Sequence, residues 1–154
     1  MLSPEEIAEI ETEAPRYRDR QALGIEALKI VQKHRGWVSL VAIEEVAGYV
    51  GVSREHLEGV ATFYNLLFRK PVGRHVVRLC DSVSCWLTGY EGVREALCGR
   101  LGLVMGGTSG DGRFTLVTVP CLGACDRGPV MLVDEELVVG LSVEGLEDVL
   151  RRYG

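Results

Sequence analysis

An α+β fold, with an N-terminal helical bundle followed by an α/β domain on a four-stranded sheet, is predicted by three features of the sequence. Capped stretches of helical period fill the chain as far as Phe68. Apolar strand-like runs then alternate with helical ones. The turn-forming Lys70-Pro71-Val72-Gly73 separates the two patterns and divides the chain into regions 1–70 and 71–154.

The elements follow from local chemistry. Ser3-Pro4-Glu5-Glu6 supplies a cap, a proline at the first helical position and a glutamate placed for a capping box, so a helix starts there and Pro15 interrupts it. A longer helix is expected from Arg18 to His34, with Leu23, Ala27, Ile30 and Val31 on one face and Gly36 as its end. Ser39 to Val50 reads as a third helix closed by Gly51, and Ser53 caps a fourth that carries His56, Leu57 and Val60. Beyond Pro71, His75–Leu79 reads as a buried strand that delivers Cys80, with Cys85 in the loop after it. A helix from Tyr90 to Leu101 is followed by the glycine-rich connection Gly106–Gly112 and the strand Phe114–Val119. Pro129–Val133 and Leu137–Gly140 flank Asp134-Glu135-Glu136 as a hairpin, and a last helix is expected over Ser142–Tyr153. That order, β-α-β then β-β-α, is the order of a thioredoxin-like domain.

Two cysteine pairs carry the chemistry: Cys80-Asp-Ser-Val-Ser-Cys85 and Cys121-Leu-Gly-Ala-Cys125. Thiolates select zinc or iron–sulfur centres over hard cations. Structural zinc favours a two-residue gap, whereas C-x4-C and C-x3-C give wider loops suited to a larger object, so [2Fe–2S] is favoured over zinc. Disulfides are disfavoured, because a chain with no apolar signal segment after Met1 is expected to stay in a reducing cytosol. Buried unliganded cysteines remain a weaker alternative. The loops match neither the plant-type nor the bacterial four-iron ferredoxin spacing. A Rieske centre would need two histidine ligands, yet His34, His56 and His75 all lie outside the loops. His34 is expected in a last helical turn, where positive charge suits the dipole, and His56 and His75 at the surface.

Composition closes off other classes. A net charge of −5 across 154 residues, without a run of Lys or Arg, offers no footprint for nucleic acid or an anionic membrane. No apolar run approaches the roughly 20 residues needed to cross a bilayer. With no G-x-G-x-x-G fingerprint and no nucleophile–base pair, an independent catalyst is not expected.

Five segments together carry a resemblance: Glu58–Asn65, Lys70–His75, Cys80–Trp86, Asp111–Phe114 and Cys121–Asp126. In order and spacing they resemble the family of E subunits of bacterial NADH-quinone oxidoreductase, respiratory complex I. The resemblance covers nearly the whole chain. It implies a helical docking region and a thioredoxin-like domain holding one [2Fe–2S] cluster on Cys80, Cys85, Cys121 and Cys125. It also implies a place in the peripheral arm of an inner-membrane-bound complex, on the cytoplasmic side, beside other peripheral-arm subunits and against the F subunit, which binds FMN and NADH. As such a subunit the chain belongs to an enzyme without catalysing on its own. A diaphorase subunit of an NAD-dependent hydrogenase or formate dehydrogenase, a free-standing thioredoxin-like ferredoxin and a zinc-stabilised interaction module are the rivals. Gly106-Gly107-Thr108 and Ser142-Val143 depart from the family pattern, which bears on the rigidity of that loop and the start of the last helix. Gly123 and Gly128 are expected to supply unusual backbone angles, Arg127 a cation, Trp86 a shield or partner contact, and Cys98 a small buried side chain.

Overall fold

The computed structural model describes residues 1–154 and divides into two compact units, Met1–Pro71 and Val72–Gly154. The first unit is helical: α1 (Pro4–Glu13) runs into a 3-10 turn (Ala14–Arg16), then come α2 (Gly24–Arg35), α3 (Leu40–Val50) and α4 (Arg54–Phe63). Ser3 closes the capping box at α1, while Ser39 and Ser53 cap α3 and α4 through the N–H groups of Ala42 and His56. Helix α2 packs on α1, α3 and α4 and supplies Ala27, Leu28, Ile30 and Val31 to a core shared with Ile10, Ile43, Val46 and Leu57.

Helix α2 starts later than the sequence pattern suggests. The Asp19 carboxylate accepts from the Ala22 N–H at 2.9 Å, and this local bond holds the residues before Leu23 in a turn. His34 does lie in the last turn of α2, where it also meets Glu9 at 2.9 Å.

The second unit is a four-stranded mixed sheet in the order β2-β1-β3-β4. Its elements are β1 (His75–Cys80), α5 (Val83–Leu87), α6 (Tyr90–Leu101), β2 (Phe114–Val119), β3 (Met131–Val133), β4 (Glu136–Val138) and α7 (Leu146–Arg151). This is the thioredoxin-like arrangement that the sequence predicts. Strand β1 pairs parallel with β2, from His75↔Phe114 to Cys80↔Val119, and antiparallel with β3. The connection between parallel strands has to cross back over the sheet, and α6 is that crossover. Val77, Leu79, Leu97, Leu116, Met131 and Leu146 form the centre of its core.

Three local differences from the sequence expectation have physical causes. The hairpin turn is two residues, because Glu136 already pairs with Val133. Asp134 enters the left-handed region (φ 52°), and its carboxylate accepts from the Val76 N–H at 2.9 Å. Ser142 accepts from the Gly145 N–H at 3.1 Å, which forms a turn and delays α7 to Leu146. His75 is only partly exposed: its Nδ1 lies 2.7 Å from Asp134 and its ring is 5.7 Å from Phe114 and 5.4 Å from Tyr153. The Gly106–Gly112 connection is pinned to β2, with Leu116 donating to Gly107 at 3.0 Å and Thr108 bonding Thr115 at 2.7 Å.

One charged group is buried in the helical unit. Glu6 is 1% exposed and receives Arg35 on both oxygens, at 2.6 and 2.7 Å, as well as the Ser3 N–H at 2.8 Å. The Arg35 hydrogen bond outweighs the cost of burial and holds the Glu6 carboxyl below its ordinary range. A lowered folded-state value means that this stabilisation is complete above the ordinary glutamate range and is lost as pH falls through the folded value. Glu6→Ala strands Arg35 beside Glu45 and is expected to cost about 2–4 kcal/mol. Urea unfolding at neutral pH measures that loss, and the gap between variant and parent should close in acid.

Candidate metal centre

Parallel pairing of β1 with β2 sets the site. Because Cys80 and Val119 are register partners, the two strands end side by side, and the loops leaving them emerge at one edge of the sheet. Cys80 is the last residue of β1, and Cys121 follows β2 by two residues. The Asp81 N–H donates to the Val119 carbonyl at 3.0 Å and the Cys80 N–H to Val130 at 3.1 Å, which fixes the start of the first loop from both sides.

That first loop is partly helical, a feature the sequence pattern does not predict. Ser82 caps the five-residue α5, so Cys85 sits in a helical turn and not in an open loop. The available signal is a serine three residues before Cys85, a cap position that the short length of the helix disguises. In the second loop, Cys125 opens a 3-10 turn that ends at Arg127 and lies against α5.

The structure brings all four loop cysteines into one neighbourhood, and all are free thiols. Cys121 and Cys125 lie 3.7 Å apart between sulfurs. Cys80 Sγ lies 3.4 Å from the Ser82 hydroxyl of its own loop. No three histidine, cysteine or carboxylate side chains close on a point that would hold a single metal ion. The pairs differ in burial, since Cys80 and Cys85 are buried whereas Cys121 and Cys125 are exposed.

The acidities follow from these contacts. Burial pushes the Cys80 thiol up, but hydrogen bonds from the Ser82 side chain and the backbone of Ser82 and Leu122 outweigh it and leave the thiol below its usual range. Cys125 moves the other way. Its hydrogen bond with Cys121 and the charge on that neighbour raise it, while Ser84 works against the rise. Two thiols this close oppose each other's ionisation, and a bound cation removes the conflict by taking both as thiolates.

Glycines shape the second loop in two ways. Gly123 takes φ 77°, which turns its N–H toward Cys121 Sγ at 3.3 Å. Gly128 has an ordinary extended backbone (φ −66°, ψ 159°), so its role is close approach and not an unusual angle. A Cβ there would fall 2.7 Å from Thr88 Oγ1 and 3.5 Å from Cys85 Sγ.

The remaining candidates fall into place around this site. Trp86 is half-exposed and stacks on Tyr90, with ring centroids 4.8 Å apart. Beside it α5 presents Val83 and Leu87, 74% and 83% exposed. Arg127 is exposed and lies 3.8 Å from Asp126, so its charge is partly answered already. Cys98 is half-buried against the core of the unit and does not join the loop cysteines.

Comparison with known proteins gives a consistent picture. Residues 10–154 match the family model for thioredoxin-like [2Fe–2S] ferredoxin. The chain is 50% identical over 152 residues to the E subunit of the NADH-quinone oxidoreductase of Escherichia coli (strain K12), covering 99% of this chain and 92% of that protein. It is 44% identical over 153 residues to the corresponding E subunit of Pseudomonas aeruginosa, again over 99% and 92% of the two chains. Among solved structures, a chain of an air-oxidised NAD+-reducing [NiFe]-hydrogenase superposes with a TM-score of 0.69 at 19% identity, over 82% of this chain and 22% of that one. That likeness speaks for the fold alone.

Gly128→Ala is expected to destabilise the second unit by about 1–3 kcal/mol, because Thr88 Oγ1 is held by the Ser84 and Cys85 carbonyls and has no free direction to move. Pairing it with Thr88→Ala removes the obstructing atom. Chemical denaturation should then show recovery of much of the loss, a coupling that distant substitutions would not display.

Proposed function

The chain belongs to the thioredoxin-like [2Fe–2S] ferredoxin family, and from that premise we propose that it is the electron-transfer subunit of the NADH-oxidising module of an NADH-quinone oxidoreductase. One observation carries the reading: two cysteine pairs remote in sequence meet at the paired carboxyl ends of β1 and β2, in a chain half identical to a bacterial E subunit over nearly its whole length. Cys80, Cys85, Cys121 and Cys125 hold the cluster. The donor set fits that group, since four free thiols are accompanied by the Gly123 N–H directed at sulfur.

A [2Fe–2S] centre supplies one-electron exchange, whereas NADH gives up two electrons together as hydride, and a flavin connects the two regimes. This chain's contribution is to bury one thiolate pair, leave the other near the surface and answer the negative charge with N–H donors. FMN and NADH are bound by a partner flavoprotein, the F subunit, within a peripheral arm. The exposed Val83, Trp86 and Leu87 flank the cysteine loops and suit docking to such a partner, together with the helical unit. An interface for a permanent assembly of this kind buries on the order of 2,000 Å² or more. No helix is long and apolar enough to cross a membrane, so attachment runs through partner subunits. A hydrogenase-type assembly is the second reading, since a diaphorase subunit would carry much the same cysteine loops, but the identity to bacterial E subunits favours the quinone-reducing complex.

Two measurements test this. Purified protein should carry about two irons and two acid-labile sulfides per chain, and Cys→Ser at 80, 85, 121 or 125 should each disturb the visible spectrum while Cys98→Ser leaves it intact. Stoichiometric zinc without sulfide under iron-replete expression would refute the assignment. Leu87→Glu places a charge in the proposed interface and should weaken association with the flavoprotein at least tenfold while preserving the spectrum, as read by size-exclusion chromatography of the mixed proteins.

A further inference from the structure

Ser82 occupies a position with two uses. Its Oγ accepts from the Cys85 N–H at 3.5 Å as the cap of α5, and the same atom lies 3.4 Å from Cys80 Sγ. A serine hydroxyl has one proton and two lone pairs. The cap uses a lone pair, so the proton remains to be given, and Cys80 is within reach of it. As a ligand, Cys80 is a thiolate with no proton of its own, and the bond then runs from the Ser82 hydroxyl to sulfur.

Ser82 is half-buried, which limits competition from water. Backbone N–H donors are fixed by the fold, but this side-chain donor is set by residue type alone.

Resting on the cluster reading given above, we propose that Ser82 is a positioning residue that raises the reduction potential of the bound centre by donating a hydrogen bond to Cys80. The accepted electron adds negative charge, some of it on sulfur, and a donor to sulfur favours the reduced form more than the oxidised one. Removing a donor favours the oxidised form and drives the potential down. The cap and the donor functions of Ser82 are separable, because glycine is tolerated at a cap position far better than alanine while offering no hydroxyl.

The experiment uses the full-length, cluster-loaded protein and a redox titration followed by the electron paramagnetic resonance of the reduced form. Ser82→Gly should shift the oxidised-to-reduced ratio at a fixed poise about tenfold toward oxidised, a fall of about 59 mV for one electron. Ser82→Thr keeps both cap and hydroxyl and should restore the parent value. An unchanged midpoint in Ser82→Gly, or a shift that Ser82→Thr does not reverse, overturns the proposal. Loss of the cluster from Ser82→Gly but not from Ser82→Thr would make that hydroxyl an assembly element and likewise overturn the tuning role. If the parent protein binds no iron and sulfide, the cluster reading fails and takes this one with it, an outcome visible before any potential is measured.

Discussion

The parallel register of β1 with β2 is the constraint on which the rest of the second unit depends. Cys80 opposite Val119 brings together two loops that are separated in sequence by the whole of α6 and a glycine-rich connection. A slip of one residue would turn Val77 and Leu79 away from the core and carry Cys80 to the opposite face, so the hydrophobic pattern that fixes the register also fixes the site. Strand β1 is central, held by β2 on one side and β3 on the other, and cannot drift without breaking both ladders. The position agrees with a general tendency of sheets with parallel strands to gather ligands beyond their carboxyl ends.

Within that frame the two cysteine pairs are treated unequally. Cys80 and Cys85 lie under the core of their unit, whereas Cys121 and Cys125 sit on an exposed loop. Burial on one side limits water around the sulfurs and strengthens hydrogen bonds to them, while exposure on the other leaves an edge from which an electron can reach a partner. Gly128 allows this contrast by letting the second loop approach Thr88, at the end of α5, more closely than a side chain would permit. The exposed apolar residues of α5 occur beside this edge and not across the sheet face, where they would compete with core packing.

The helical unit relies on a different kind of interaction. Arg35, in the last turn of α2, joins Glu6 of α1 to Glu45 of α3 and so fixes three helices at one junction. A buried carboxylate is tolerable there only because its oxygens are fully occupied by Arg35 and the Ser3 N–H. Glycines at 36 and 51 end α2 and α3 in the left-handed conformation.

The sequence by itself determined the order of elements, the helical caps, the break near Pro71 and the candidate ligand set, because each depends on periodicity or on residues within a few positions of one another. Helix α6 and strand β2 run between the residues that their patterns indicate, and the loop spacing C-x4-C with C-x3-C already pointed to iron–sulfur chemistry. Only the tertiary structure decided which groups meet. The Asp19 and Ser142 turns that shorten α2 and α7, and the capped helix around Cys85, arise where a single side-chain hydrogen bond decides the local conformation against a weak sequence pattern. The packing of His75 against Phe114 and Tyr153, the convergence of the two cysteine loops and the approach of Gly128 to Thr88 involve partners distant in sequence. Such contacts are fixed by strand register and core packing, and neither leaves a local signature in the chain.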